Sequence, residues 1–370
     1  MTGKTVLLVG AGAVGRAFAN YLTCYRSVER LVVADKDENR ARSVAANSEI
    51  CAHFLGNYPM VEAKTLDLDD EDAAIKLLEQ TSPEVALNAT TMIPLWIYTP
   101  LVKRRIAELG IEGYYPGHTL AKDLLLTHKL MKAVKRSRLP MKVVNASFPD
   151  NTHPVLAKVG LSPTVGAGNV DNLAMGIRKV VADKMRIPAH NLSVTMVSHH
   201  AISLNWVDPN KVPYYMKIRM GEVDLTSRFD SRSLIMEANN LPVNDEQMAA
   251  ISSVRQVISI LEDRGEIILG SGVEGIPGCV PVRLDRRGAE IVLPDDLTMD
   301  KVLEMNQAGM RFDGIERIEE DGTAVFTDSA AEFMRTALGI NWVRMRLSEA
   351  EAMTRDLAEA YNKLSLRYSH

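Results

Sequence analysis

Two adjacent histidines, His199 and His200, follow the apolar, largely β-branched run "LSVTMVS". The chain has only eight histidines, so a pair at the end of one such run is a distinctive feature. An imidazole titrates near neutral pH and can take a proton from a hydroxyl group or return it, as oxidation of an alcohol requires. Successive residues of a strand point to opposite faces, so at most one of the two can face a ligand. Alternatively, both are strand-end residues satisfied by the backbone.

Three glycines, Gly10, Gly12 and Gly15, form a GxGxxG motif between the strand-like run "TVLLV" and the helical stretch "AVGRAFANYL". In this setting the first glycine permits a tight turn, the second lets the backbone approach a pyrophosphate, and the third lets helix and strand pack closely. The free N–H groups at the start of the helix would face the phosphates. The motif predicts a dinucleotide site, with a glycine turn that binds nothing as the alternative.

An acidic residue, Asp35, ends the next strand-like run, twenty residues after Gly15. A carboxylate in that position accepts hydrogen bonds from a ribose diol and repels a 2′-phosphate. The sequence therefore favours NAD over NADP, while the nearby cations Lys36 and Arg40 keep NADP as an alternative.

Asparagines end two later strand-like runs, at "NATT" from Asn88 and "NAS" from Asn145. Small polar residues at the carboxyl ends of parallel strands are where a cofactor and its substrate lie in such sheets. We expect both asparagines to contact the cofactor, unless they are plain strand-ending residues that cap the next element.

The elements that position these residues alternate between strand and helix from residue 5 to about residue 147. This alternation predicts an α/β fold, with a doubly wound parallel Rossmann sheet as a dinucleotide-binding domain over residues 1–150. The pattern of residues 151–370 predicts an α+β domain that binds the substrate and forms the contacts of an oligomer. In that half, the glycine-rich segment 270–278 predicts a loop near the ligand or at a subunit contact.

Composition limits the partners. The 43 basic and 47 acidic residues nearly balance and are not clustered, so we expect neither nucleic acid nor a membrane surface as partner, but a small molecule. The three cysteines are widely spaced, and no transition-metal ligand set is evident, so no metal is predicted. No apolar stretch approaches membrane-spanning length and no leader-like segment opens the chain, so we expect a cytoplasmic protein.

Three segments resemble the lactate/malate dehydrogenase superfamily: "KDLLLTHKLMKAVKRSRLPMKVVNASFPDN", "GAGNVDNLAMGIRKVVADKMRIPAHNLSVTMVSHHA" and "VPVRLDRRGAEIVLPDDLTMDKV". The resemblance implies an NAD-dependent dehydrogenase that assembles as a homodimer or homotetramer. It also implies that Asp171 orients His199, the acid–base, 28 residues later. His200 is the alternative if the register differs by one.

The chain also departs from that superfamily. Ala174 stands where the relatives have an arginine that binds the substrate carboxylate, and Arg178, two helical turns after Asp171, is the candidate replacement. The substrate loop is longer and carries His118 and Lys122 as candidate substrate residues. We therefore expect a small hydroxy- or amino-acid-like substrate rather than a simple 2-hydroxy acid.

Three other functions stay open. The segment "LDLDDEDAAIKLLEQTSPEVALNAT" also fits a saccharopine-dehydrogenase-like amino-acid oxidoreductase. "GAGNVD" and "SHHAISLNW" resemble NAD-dependent glycosidases, although Gly168 stands where those enzymes have a metal-binding cysteine. The third alternative is an NAD-binding sensor without turnover.

Overall fold

The computed structural model describes residues 4–204 and 206–369, without the side chains of residues 96 and 245. The strands among these residues are β1 (Thr5–Val9), β2 (Arg30–Asp35), β3 (Met60–Thr65), β4 (Val85–Asn88), β5 (Lys142–Asn145), β6 (Val165–Gly166), β7 (Leu192–Ser198), β8 (Tyr214–Met220), β9 (Val223–Asp224), β10 (Glu266–Ser271), β11 (Cys279–Asp285), β12 (Gly288–Ile291), β13 (Ile315–Ile318), β14 (Ala324–Phe326) and β15 (Arg344–Met345). The α-helices are α1 (Ala13–Leu22), α2 (Glu38–Phe54), α3 (Glu71–Thr81), α4 (Leu95–Leu109), α5 (Leu120–Ser137), α6 (Pro149–Lys158), α7 (Asn169–Met185), α8 (Ser231–Asn239), α9 (Asp245–Leu261), α10 (Met299–Met310), α11 (Asp328–Phe333) and α12 (Ala350–Arg367).

The first six strands form a parallel sheet in the order β3-β2-β1-β4-β5-β6. All five residues of β1 are buried, because helices cover both faces of a parallel sheet and leave no strand face to water. Burial of each Leu or Val side chain contributes roughly 1.5–3 kcal/mol to folding. In the register, Val6 lies between Leu31 of β2 and Val85 of β4. The predicted α/β class with a doubly wound Rossmann sheet is confirmed.

The same sheet continues into the second half of the chain. Gly166 of β6 pairs antiparallel with Ser271 of β10, and β11, β7, β8 and β9 follow in that order, with β12 paired to β11. Strands β13, β14 and β15 form a small separate sheet. Strand hydrogen bonds thus join the two halves of the chain into one sheet. The division into two domains at residue 150 stays a prediction. None of the described helices is long and apolar enough to cross a bilayer.

Helix α6 and the glycine-rich segment 270–278 show how prolines and glycines are accommodated beside the parallel sheet. Residues 149–158 contain two prolines and nevertheless form helix α6, because Pro149 occupies the first turn, where no N–H donor is required. The glycine-rich segment 270–278 packs against α6 rather than beside a ligand. A Cβ at Gly272 would lie 2.5 Å from His153, and one at Gly275 would lie 2.4 Å from Ala157, so close packing explains these glycines.

Candidate active site

A cavity of about 690 Å³ opens along the carboxyl ends of the parallel strands. Open α/β sheets bind their ligands in this position. Polar, charged and aromatic residues from both halves of the chain line this cavity. They include Asp35, Lys36, Arg40, Thr91, Tyr114, Lys122, Asp123, Asp150, Asn169, Asn172, His200 and Trp206.

The glycine motif forms one wall of this cavity. Gly10 has φ +100°, and a Cβ there would lie 2.8 Å from the carbonyl oxygen of Ala89. A Cβ at Gly15 would lie 1.9 Å from the carbonyl oxygen of Gly10, so only glycine allows α1 to approach β1 this closely. Gly12 faces the cavity, and a Cβ there would meet nothing within 4 Å. Helix α1 begins directly after Gly12 with no side-chain cap, so its first N–H groups are available to a phosphate.

Asp35 lies at the end of β2 beside this wall and is 8% exposed. Its Oδ2 accepts a hydrogen bond from the Ala11 backbone N–H at 2.7 Å, and its Oδ1 accepts one from the Asp37 N–H at 2.9 Å. The guanidinium of Arg40 is 3.8 Å from the same carboxylate. Asp35 therefore holds the glycine loop in place, and both an acidic and a basic group line this end of the cavity.

Asn88 and Asn145 lie below the cavity and are not among the residues that line it. Both are fully buried, and Asn88 Nδ2 donates to Asn145 Oδ1 at 2.9 Å. Asn88 Oδ1 accepts from the Thr90 hydroxyl, and Asn145 Oδ1 accepts from the Ser147 backbone N–H. The predicted direct contact with a cofactor is not supported by this geometry. The two amides instead hold the loops that follow β4 and β5, which form the cavity floor.

The two histidines follow β7, and only one of them lines the cavity. His200 lines the cavity, and its Nε2 lies 2.6 Å from Asp313 Oδ2. His199 is fully buried beside Gly309, where a Cβ would lie 2.3 Å from the Cβ of His199, and its Nε2 is 3.7 Å from Asp313 Oδ2. The structure therefore brings His200, the alternative in the sequence analysis, to the cavity instead of His199.

The two imidazoles beside Asp313 have opposite protonation preferences. Burial alone would lower the pKa of His200, but the charge of Asp313 and its hydrogen bond outweigh burial and raise this pKa to about 9. For His199, burial dominates and lowers the pKa to about 4. The pKa of Asp313 itself lies below its usual value: burial works to raise it, and the two histidines outweigh that effect. At neutral pH this pattern describes a charged His200–Asp313 pair beside a neutral His199.

His199, His200 and Asp313 also offer potential metal-ligating atoms within 4.8 Å of one another. However, Nδ1 of His199 accepts a hydrogen bond from the Ala201 backbone N–H at 3.3 Å. The proton of the neutral ring is then on Nε2, the nitrogen nearest Asp313. A metal ligand needs a lone pair on that nitrogen, so this tautomer does not suit metal binding at His199 Nε2.

The expected pairing of Asp171 with His199 is not what the structure shows. Asp171 accepts a hydrogen bond from the Ser252 hydroxyl at 2.7 Å and lies 3.8 Å from Arg255. Burial raises the pKa of Asp171, against the lowering effects of Arg255 and Ser252. Among the described contacts Asp171 makes none with either histidine, because Asn169 and Asn172 are the α7 side chains that face the cavity.

The candidate anion-binding residue Arg178 lies outside the cavity. Its Nε donates to the Ala189 carbonyl oxygen at 2.6 Å, so it ties α7 to the following turn. The cavity contacts only the first turn of α7, and two helical turns carry Arg178 about 10 Å farther along the axis. The predicted replacement for the missing arginine is therefore not supported by this geometry.

The two candidate substrate residues of the long loop have different surroundings. Lys122 lines the cavity and donates to Asp123 Oδ1 at 2.7 Å and to the Thr91 hydroxyl at 3.0 Å. His118 does not line the cavity: its Nε2 lies 2.7 Å from the Tyr361 hydroxyl, and burial lowers its pKa to about 4. Lys122 therefore stays a candidate for substrate contact, and His118 is placed to link this loop to α12.

Sequence reasoning missed Asp313 and Phe148. Asp313 lies in "RFDGIE", which has the pattern of an ordinary turn, and no local signal marks it. Phe148 has φ +48°, an uncommon conformation for a large side chain, and its ring meets that of His200 edge-on at 5.4 Å. Strained residues of this kind cluster at functional sites, but the strain is visible only in the folded chain.

We expect ¹⁵N-histidine NMR to show His200 protonated up to about pH 8 and titrating near pH 9, because Asp313 stabilises the imidazolium. His200 thus contributes stability that is complete below its unfolded pKa, near 6.5, and is lost as the pH rises through about 9. In Asp313→Asn the same resonance should titrate below its ordinary range, because burial, the largest influence, would then be opposed only by the charge of Asp150. His190, a surface residue, is the control. A His200 that titrates near pH 6.5 in both proteins would contradict the ion pair.

Comparison with known families supports the nucleotide-binding half. Residues 6–102 match the family model described as the saccharopine dehydrogenase NADP-binding domain. No curated protein matches the sequence.

Solved structures share the fold over most of the chain. Malate dehydrogenase from Picrophilus torridus in its apo form has 15% identity and a TM-score of 0.58, over 84% of this chain and 97% of that one. Lactate dehydrogenase from Cryptosporidium parvum, complexed with lactic acid and nicotinamide adenine dinucleotide, has 18% identity and a TM-score of 0.60, over 85% and 99%. Malate dehydrogenase from Plasmodium falciparum has 14% identity and a TM-score of 0.60, over 84% and 97%. The chain therefore has the α/β fold of lactate and malate dehydrogenases. The resemblance of the sequence to that superfamily is supported, and so is the resemblance of its nucleotide-binding half to saccharopine dehydrogenase.

Proposed function

We propose that this protein is a nicotinamide-dependent oxidoreductase that transfers a hydride to or from a small hydroxy- or amino-acid-like substrate. The observation that carries the proposal is that His200, which is paired with Asp313 behind it, and the glycine loop line the same cavity. A binding protein without turnover would have no chemical need for a charged, buried acid–base pair at its ligand site.

The residues of the chain have distinct tasks in this proposal. The open face at Gly12 and the first turn of α1 would hold the pyrophosphate, and Asp35 with Arg40 would lie near the adenosine ribose. A nicotinamide dinucleotide, when bound, supplies the acceptor or donor of hydride.

His200 is the proposed general acid–base. Its Nε2 is engaged by Asp313, which leaves Nδ1 as the ring nitrogen available to a substrate hydroxyl or amine. In oxidation His200 takes the proton from that group, and in reduction it returns one. Asp313 is a positioning residue that orients the ring and stabilises its charged form. Because the pKa of His200 is raised to about 9, the ring is protonated at neutral pH and is ready to act as an acid, which favours reduction.

NAD is the favoured cofactor in this proposal and NADP the alternative, because Asp35 and Arg40 both border the cavity. The first test is to titrate the purified protein with NADH and NADPH by fluorescence. Hydroxy and amino acids are then screened for a change in the absorbance of reduced nicotinamide. Binding of neither nucleotide would contradict the proposal. A homo-oligomeric state and a cytoplasmic location stay predictions.

The variant Asp35→Asn should shift the ratio of the two dissociation constants towards NADPH by roughly tenfold or more. The change removes a charge that would repel a 2′-phosphate and frees Arg40, now 3.8 Å away, to bind it. Arg40→Gln, the matched change of the basic partner, should shift the ratio towards NADH. If the ratio of the two dissociation constants is the same in both variants and the parent protein, neither group discriminates between a ribose 2′-hydroxyl and a 2′-phosphate.

A further inference from the structure

We propose that the substrate of this cavity carries a positively charged nitrogen, which Asp150 binds. The inference rests on the proposed function, because it concerns the substrate of the same site. Asp150 lies in the first turn of α6, lines the cavity and is only 2% exposed.

The carboxylate of Asp150 has an unsatisfied oxygen among the described residues. Its Oδ1 is buried and accepts no hydrogen bond, and the carboxylate forms no ion pair with any residue that the structure describes. Its position at the start of α6 supplies some stabilisation from the helix dipole. A buried, unpaired charge is otherwise costly, and a bound cation that donates hydrogen bonds would remove that cost.

The surroundings of Asp150 do not suit an anionic substrate. Lys122 lines the cavity, but its ammonium already contacts Asp123 and Thr91. Arg178, which would have offered a guanidinium, contacts Ala189 outside the cavity. A substrate carboxylate beside Asp150 would therefore meet that charge, because the other lysine and arginine of the described lining, Lys36 and Arg40, lie at the Asp35 end of the cavity.

Asp150 is also close to the acid–base. Both residues line the cavity, and Asn151, which follows Asp150, donates to Asp313 Oδ2, the oxygen that also engages His200. A nitrogen bound to Asp150 would therefore place the neighbouring carbon near the imidazole. The cavity is also lined by Leu204, Tyr114 and Trp206. Their apolar surfaces suit the alkyl portion of a small amine or amino alcohol.

Three compounds of nearly the same shape test the charge preference: 1-amino-2-propanol, propane-1,2-diol and lactate. Each carries a secondary alcohol on a methyl-bearing carbon, and the third substituent is cationic, neutral or anionic. With saturating nicotinamide dinucleotide, we expect the amino alcohol to bind at least about tenfold tighter than the diol by calorimetry, and lactate to bind most weakly. Asp150→Asn should remove this preference while NADH binding stays as in the parent protein and the melting temperature does not fall, because the variant loses a buried, unpaired charge.

Asp67→Asn is the matched control, because Asp67 lines the same cavity beside the predicted nucleotide wall, and it should keep the preference. Equal affinity for the three compounds, a preference for lactate, or binding of none would overturn the inference and leave the proposed function standing. So would an Asp150→Asn protein that still prefers the amino alcohol. Failure to bind NADH and NADPH would instead defeat the proposed function.

Discussion

Replacement of His200 by alanine is expected to lower kcat roughly 10²- to 10⁴-fold, the usual contribution of a general acid–base. NADH affinity should change little, because His200 meets the substrate part of the cavity and Asp313, not the glycine loop. Steady-state rates on the substrate found by screening and fluorescence titration with NADH provide the two measurements.

His199→Ala is the matched control for that variant. His199 does not line the cavity, so its loss should cost stability, about 1–3 kcal/mol from a buried polar contact and a cavity, more than turnover. Activity that survives in His200→Ala and disappears in a folded His199→Ala protein would contradict the assignment and favour the register expected from sequence.

The variant Asp313→Asn tests whether Asp313 orients and charges His200 or only supports the fold. The variant keeps a side chain of the same shape that can accept from His200, but it removes the charge that holds the pKa of His200 near 9. The limb of the pH–rate profile that reports His200 should therefore move to lower pH, whereas a purely structural role would lower the rate without moving the limb.

The second large effect is expected at the glycine motif. Gly12→Val should weaken nucleotide binding by at least about 100-fold, because its side chain would fill the space that a pyrophosphate requires. The melting temperature should stay nearly unchanged, since a Cβ at Gly12 meets nothing within 4 Å.

Gly15→Ala should behave in the opposite manner. Its methyl group would lie 1.9 Å from the carbonyl oxygen of Gly10, so β1 and α1 would have to separate. Overpacking of this kind costs about 1–3 kcal/mol or more, and it should lower the melting temperature together with nucleotide affinity. Thermal denaturation and NADH titration of both variants test the pair; equal loss of stability in the two would contradict the assigned roles.

Local pattern alone predicted the nucleotide-binding half. The strand-like run "TVLLV" and the helical stretch "AVGRAFANYL" coincide with β1 and α1, because helix and strand periodicity depend on residues a few positions apart. The roles of Gly10 and Gly15 also follow from one strand, one turn and one helix, which are contiguous in sequence.

The partner of the acid–base was decided only by the tertiary structure. Asp171 is close in sequence to the histidines, but α7 presents it to Ser252. Asp313 reaches His200 from 113 residues away. No periodicity relates such distant positions. The contact with Asp313, which raises the pKa of His200 while burial lowers that of His199, likewise exists only once both halves of the chain pack around one cavity. The sequence by itself thus determined the fold class and the nucleotide wall, and packing determined which carboxylates act there.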